Sequence, residues 1–101
     1  MKTVILKTAP APNYSLRIES GYKEIVKKCT KLFICLEDDF FEIKKGMRTY
    51  QNNGRITDKQ INQWIRIKNL HVYPKGYPYE LDFTLIIENT KHIYKFISIR
   101  G

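Results

Sequence analysis

Leu81-Asp82-Phe83-Thr84-Leu85-Ile86-Ile87-Glu88-Asn89-Thr90-Lys91-His92-Ile93-Tyr94-Lys95-Phe96-Ile97-Ser98-Ile99 carries the strongest structural signal in the chain. Leu81, Phe83, Leu85 and Ile87 alternate with Asp82, Thr84, Ile86 and Glu88. Beyond Asn89-Thr90, Ile93, Ile97 and Ile99 alternate with His92, Tyr94, Phe96 and Ser98. A period of two places successive side chains on opposite faces of a strand. Two such runs around a short polar turn predict a β-hairpin, with Glu88 and Lys91 as a cross-strand charge pair beside the turn.

Upstream of the hairpin, Pro74-Lys75-Gly76-Tyr77-Pro78 has the chemistry of a turn, and His71-Val72-Tyr73 reads as a short strand. The residues before it predict a helix from Thr57 to about Asn69. Thr57 as N-cap and Gln60 three residues later form a capping box, and Ile56 and Ile61 a hydrophobic staple. Ile61, Trp64 and Ile65 would face inward, leaving Lys59, Asn62, Gln63 and Arg66 on the opposite face. Lys44 to Arg55 contains Gly46, Asn52, Asn53 and Gly54 without an apolar period, and is expected to be a long exposed loop.

The first half supplies the rest of the sheet and a second helix. Lys2–Lys7 is a β-branched strand ended by Pro10 and Pro12. Tyr14–Glu19 alternates as a further strand. Ser20 caps a helix whose stripe is Tyr22, Ile25, Val26 and Cys29, with Glu24 and Lys28 as an i,i+4 pair. Leu32-Phe33-Ile34-Cys35-Leu36 is a continuous apolar run of the kind covered on both faces. Glu37-Asp38-Asp39 turns the chain into Phe40–Ile43, its antiparallel partner. The expected fold is therefore one α+β domain over residues 1–101, a mainly antiparallel sheet of about five strands with two helices on one face. Its expected core is Ile25, Val26, Cys29, Phe33, Ile34, Cys35, Ile61, Trp64, Ile65, Phe83 and Leu85.

The charge is concentrated. Residues 44–77 hold Lys44, Lys45, Arg48, Arg55, Lys59, Arg66, Lys68 and Lys75 against the single acid Asp58, almost all of a total net charge of +8. Tyr50, Tyr73 and Tyr77 lie among them. Lys and Arg release counterions from a polyanion, and planar rings stack on bases. On the polar face of the 57–69 helix, Arg66 has the geometry to bridge guanine, and Asn62 and Gln63 that to bridge adenine. Any soluble helix also needs a polar face, so this face counts only together with the charge around it. A helix-turn-helix is not indicated, because Gln51 to Arg55 does not read as a preceding helix. The candidate binding residues are Lys44, Lys45, Arg48, Tyr50, Arg55, Lys59, Asn62, Gln63, Arg66, Lys68, Tyr73, Lys75 and Tyr77.

The sequence assigns no catalytic residue, metal site or cofactor. Cys29 and Cys35 with His71 and His92 have the wrong spacing for a zinc finger, and two cysteines read as reduced thiols of a cytoplasmic protein. The apolar run at Val4-Ile5-Leu6 is too short for a signal peptide or a membrane span. There is no Gly-rich phosphate loop and no nucleophile motif. These features point to a non-catalytic protein that binds nucleic acid, or the nucleic-acid-binding surface of a nucleoprotein complex. Small phage- or virus-encoded inhibitors, anti-CRISPR proteins among them, are of this kind. The alternatives are a small metal-independent ribonuclease of toxin type, and an adaptor that docks on an acidic protein surface. A homodimer through an exposed hairpin edge belongs with the last.

Overall fold

The structure, a computed structural model, describes residues 2–9, 14–18 and 23–100. In chain order it contains β1 (Lys2–Thr8), β2 (Leu16–Ile18), α1 (Lys23–Lys27), β3 (Lys31–Leu36), β4 (Asp39–Ile43), α2 (Met47–Asn53), β5 (Arg55–Ile56), α3 (Lys59–Ile67), β6 (Glu80–Glu88) and β7 (Lys91–Ile99). The strands form one curled sheet in the order β4-β3-β7-β6-β1-β2-β5. This corrects the expectation of about five strands and two helices. The described residues hold seven strands and three short helices, and the sheet is mixed, because β3 runs parallel to β7.

The β6–β7 hairpin lies at the centre, flanked by β3 on one side and β1 on the other. It therefore offers no free edge for a dimer. Glu88 and Lys91 are register partners across its turn. A β-bulge between Asp82 and Phe83 shifts the register, as an extra residue on one strand does. Before the bulge, Leu85 opposes Tyr94 and Phe83 opposes Phe96, so the inward side of β7 is His92, Tyr94 and Phe96. Ile97 and Ile99 are exposed. Tyr94 and Phe96 also make edge-to-face contacts with Phe83, at 6.4 and 5.6 Å between centroids.

Helices fill the concave side of the sheet. α2 inserts Tyr50 against His92 and Tyr94, and α3 sets Trp64 edge-on to Phe96 at 5.1 Å. Val26, Cys29, Ile34, Ile61, Ile65, Phe83 and Leu85 are buried as expected, whereas Ile25, Phe33, Cys35 and Trp64 are only partly so. β3 is not covered on both faces. Leu32, Ile34 and Leu36 point into the core, while Phe33 and Cys35 turn to the convex side, where Phe33 stacks on Phe40 at 5.6 Å. The continuous apolar run thus combines a core face with a small surface patch.

Lys44–Arg55 is not a loop. It contains α2, which stops at Gly54 in the left-handed conformation (φ 71°), where the Gly54 amide donates to the Tyr50 carbonyl. Gly at this position avoids the Cβ penalty of that conformation. α3 is capped by Asp58, not Thr57: the Asp58 side chain accepts from the Gln60 amide at 2.8 Å. Asp58 lies one residue further in, where its carboxylate also complements the helix dipole. His71–Tyr73 is turn and coil, not strand, and Glu24 pairs with Lys27 at 3.5 Å, not with Lys28. The proposed cap Ser20, the stripe residue Tyr22 and the prolines Pro10 and Pro12 lie outside the described residues.

Candidate nucleic-acid interface

Two close approaches bring the basic segment together. The first is at Gly46, the residue that opens α2. A Cβ there would stand 2.8 Å from the Thr57 carbonyl oxygen and 3.0 Å from its hydroxyl. The absence of a side chain lets the β4–α2 connection lie against the start of α3. Lys44 and Lys45 directly precede Gly46, and Lys59 lies two residues beyond Thr57 in the first turn of α3. Arg48 follows one residue into α2. All four are exposed.

The second approach is at the other end of α3. Lys68 reaches Glu37, in the β3–β4 turn, at 2.6 Å. Arg66 lies over the Tyr14 ring at 5.7 Å. The C-terminal end of α3 therefore lies between Tyr14, just before β2, and the β3–β4 turn at Glu37. Its outward face presents Lys59, Gln63 and Arg66 to solvent, with Asn62 half-buried. Among the described residues, Lys44, Lys45, Arg48 and Lys59 have no carboxylate within ion-pair distance. Asp58, beside Lys59, is engaged in capping.

Other candidates sit elsewhere. Tyr50 is fully buried, so its ring cannot meet a partner. Its hydroxyl lies 2.7 Å from His92 Nδ1 and 2.6 Å from the Tyr94 hydroxyl. A neutral imidazole with its proton on Nε2 lets Tyr50 donate to Nδ1 while accepting from Tyr94. Burial holds His92 below the usual imidazole range and pushes the Tyr50 phenol well above its ordinary value, with the neighbouring Tyr94 adding to the rise. Beside them Cys29, also buried, donates to the Lys31 carbonyl at 3.2 Å, and burial pushes its thiol up to about 11. Cys29 and Cys35 are both free.

Arg55 belongs to β5, opposite Arg17 of β2, and is partly buried. Tyr73 donates its hydroxyl to the Thr8 carbonyl at 3.0 Å and sets its ring near Tyr79, so it ties a loop to β1. Tyr77 is 62% exposed and, with Lys75, Pro74, Pro78, Tyr79 and Arg100, lines a shallow pocket of about 280 Å³. Arg100 is held there by Asp82 at 3.0 Å. Lys59, Gln63 and Arg66 thus share the exposed face of α3 with half-buried Asn62, and Lys44, Lys45 and Arg48 are exposed beside Gly46, which packs against the residue two before Lys59. The structure leaves Lys75 and Tyr77 in a separate patch, Lys68 in an ion pair and Tyr50 in the core.

Sequence reasoning missed Gly46, although it flanks Lys44 and Lys45. It also missed the Tyr50–His92–Tyr94 cluster. The signal for the cluster was the hydroxyl- and imidazole-bearing side of β7, which the isoleucines on the other side obscured. Among the described residues, no three His, Cys, Asp or Glu side chains gather as metal ligands would, and no helix is long and apolar enough to cross a membrane. No protein-family model matches the chain, and neither a curated protein nor a solved structure matches it.

Proposed function

We propose that this protein is a non-catalytic binder of nucleic acid, or of a nucleoprotein surface that holds nucleic acid, acting through the exposed face of α3 and the β4–α2 connection. One observation carries the reading. Lys44, Lys45 and Arg48 flank Gly46, which packs against Thr57 two residues before Lys59, and among the described residues none of the four cations has a carboxylate partner. Cations left unpaired beside one another repel, and such an arrangement is relieved by an external anion. Gln63 and Arg66 extend the same face with groups that hydrogen-bond bases or phosphates. His92 supports a binding role over catalysis, because it is buried and committed to Tyr50.

The test is binding of labelled RNA and DNA over a range of salt concentrations. Affinity should fall as salt rises, and Lys44→Ala, Lys45→Ala and Arg48→Ala together should weaken binding and flatten the salt slope. Lys23→Ala, Lys27→Ala and Lys28→Ala together, in α1 and just after it, should do less. Equal losses from both sets would assign the effect to total charge and remove the site. Incubation with RNA in EDTA separates the reading from a ribonuclease. Multiple-turnover cleavage would overturn it.

A further inference from the structure

We infer that the free edge of β4 is a self-association surface, on which a second copy of this chain docks antiparallel to extend the sheet. Among the described residues β4 is a terminal strand, hydrogen-bonded only to β3. The two-residue turn Glu37-Asp38 makes Leu36 and Asp39 the closing pair of the β3–β4 hairpin, and the register continues through Phe41↔Ile34 and Ile43↔Leu32. By alternation, Phe40 and Glu42 direct their N–H and C=O groups away from β3. Among the described residues no other backbone or side-chain group bonds to them. Phe40 is 56% exposed beside this edge.

The occupant follows from charge. Around the edge the chain reads Glu37-Asp38-Asp39-Phe40-Phe41-Glu42-Ile43-Lys44-Lys45, acidic at its start and basic at its end. Asp38, Asp39, Lys44 and Lys45 are all exposed. An edge that only repelled other strands would do so with charge of one sign. A strand with opposite charges at its two ends is complementary to itself when turned antiparallel, as an isologous two-fold interface requires. With the axis at Phe41, Phe40 of each copy exchanges both backbone hydrogen bonds with Glu42 of the other. Asp38 then faces Lys44 of the second copy. Moving the axis to Phe40 sets Asp38 against Glu42, and moving it to Glu42 sets that acid against itself. Charge therefore selects the register. This is strand addition at a sheet edge, with the chain as its own partner.

The experiment is sedimentation velocity on the whole protein without nucleic acid, over a wide concentration range at low and high salt. It is independent of the binding reading above, because no polyanion is present. A reversible shift from 12.0 kDa to twice that mass with rising concentration, weakened by salt, is expected. Asp38→Lys should be monomeric, and so should Lys44→Glu. An equimolar mixture of these two variants should dimerise, since each now complements the other at both ends. Glu42→Pro removes an outward N–H without touching the β3 ladder, and should be monomeric with an unchanged circular dichroism spectrum. Wild type that stays monomeric throughout overturns the proposal. So does a dimer that survives the charge reversals, or a mixture that stays monomeric.

Discussion

Tyr50 shows how one hydroxyl can organise a buried polar cluster. It stands between His92 Nδ1 and the Tyr94 hydroxyl in the core, with Cys29 close by. Tyr50→Phe keeps the ring but removes the hydrogen bond to the buried His92 Nδ1. A buried group stranded in this way costs about 1–3 kcal/mol. Urea denaturation should show a loss of that size, while polynucleotide binding at a fixed concentration of folded protein should not change. The same cluster sets a pH dependence. His92 is buried neutral, so its folded pKa lies below the ordinary value of 6.5. As pH falls through about 6.5, the unfolded chain takes up a proton that the folded one refuses, and stability drops. Tyr50 and Cys29 are displaced upward, so the unfolded chain ionises first on the alkaline side, and stability drops there as well. Thermal melts should have lower midpoints at both ends of the pH range, and His92→Phe should flatten the acidic limb. The thiols should also separate. Cys29 is buried with its pKa raised to about 11, whereas Cys35 is half-buried on the convex face. Under native conditions a thiol reagent should label Cys35 much faster than Cys29, and denaturation should remove the difference.

Helix α3 was legible in the sequence because its signals are local. An apolar stripe at 61 and 65, a polar face and a side-chain cap fall within one short window. Even there the cap is Asp58, since Asp and Thr stand side by side and either can accept from an amide. α2 was not legible. Its only fully buried residue is Tyr50, so it shows no stripe, and it owes its shape to Gly46 and Gly54 at its ends. Its place against α3 was invisible, because that depends on what a side chain at Gly46 would strike. Gly46→Ala tests the packing directly. The added Cβ meets the Thr57 backbone oxygen at 2.8 Å, and a backbone atom yields less readily than the tip of a flexible side chain. Overpacking of this kind costs about 1–3 kcal/mol. The variant should be destabilised by that amount in a denaturant titration. If α2 shifts to relieve the contact, polynucleotide affinity should fall as well. The candidate face was half legible. Composition located the cations, but only the structure separates Lys44, Lys45, Arg48 and Lys59 from Tyr50 in the core and Lys75 in its own patch.

The molecule as a whole is a curled sheet with helices in its hollow and a convex face open to solvent. The hairpin of residues 80–99 was readable because its strands are adjacent in sequence and alternate cleanly. The parallel contact of β3 with β7 was not, because nothing near either strand names its distant neighbour. Which side of β7 turns inward was settled by the same distant partners. Tyr77→Ala, in the pocket beside Arg100, should leave polyanion affinity within error if the α3 face is the site. A loss of about 1–3 kcal/mol, the usual worth of a ring stacked on a base, would extend the interface to the pocket beside Arg100.

The order of the strands also bears on how the chain is made. A ribosome delivers β1 to β5 before β6 and β7, yet the last two hold the middle of the sheet. Until they emerge, β1-β2-β5 and β3-β4 are separate ribbons with no strand to join them. The nascent chain must keep those unpaired margins from meeting the wrong partner, and contacts this distant in sequence close slowly. Chains arrested after Glu80 should be digested readily by protease, and protection should appear abruptly once Ile99 has cleared the exit tunnel.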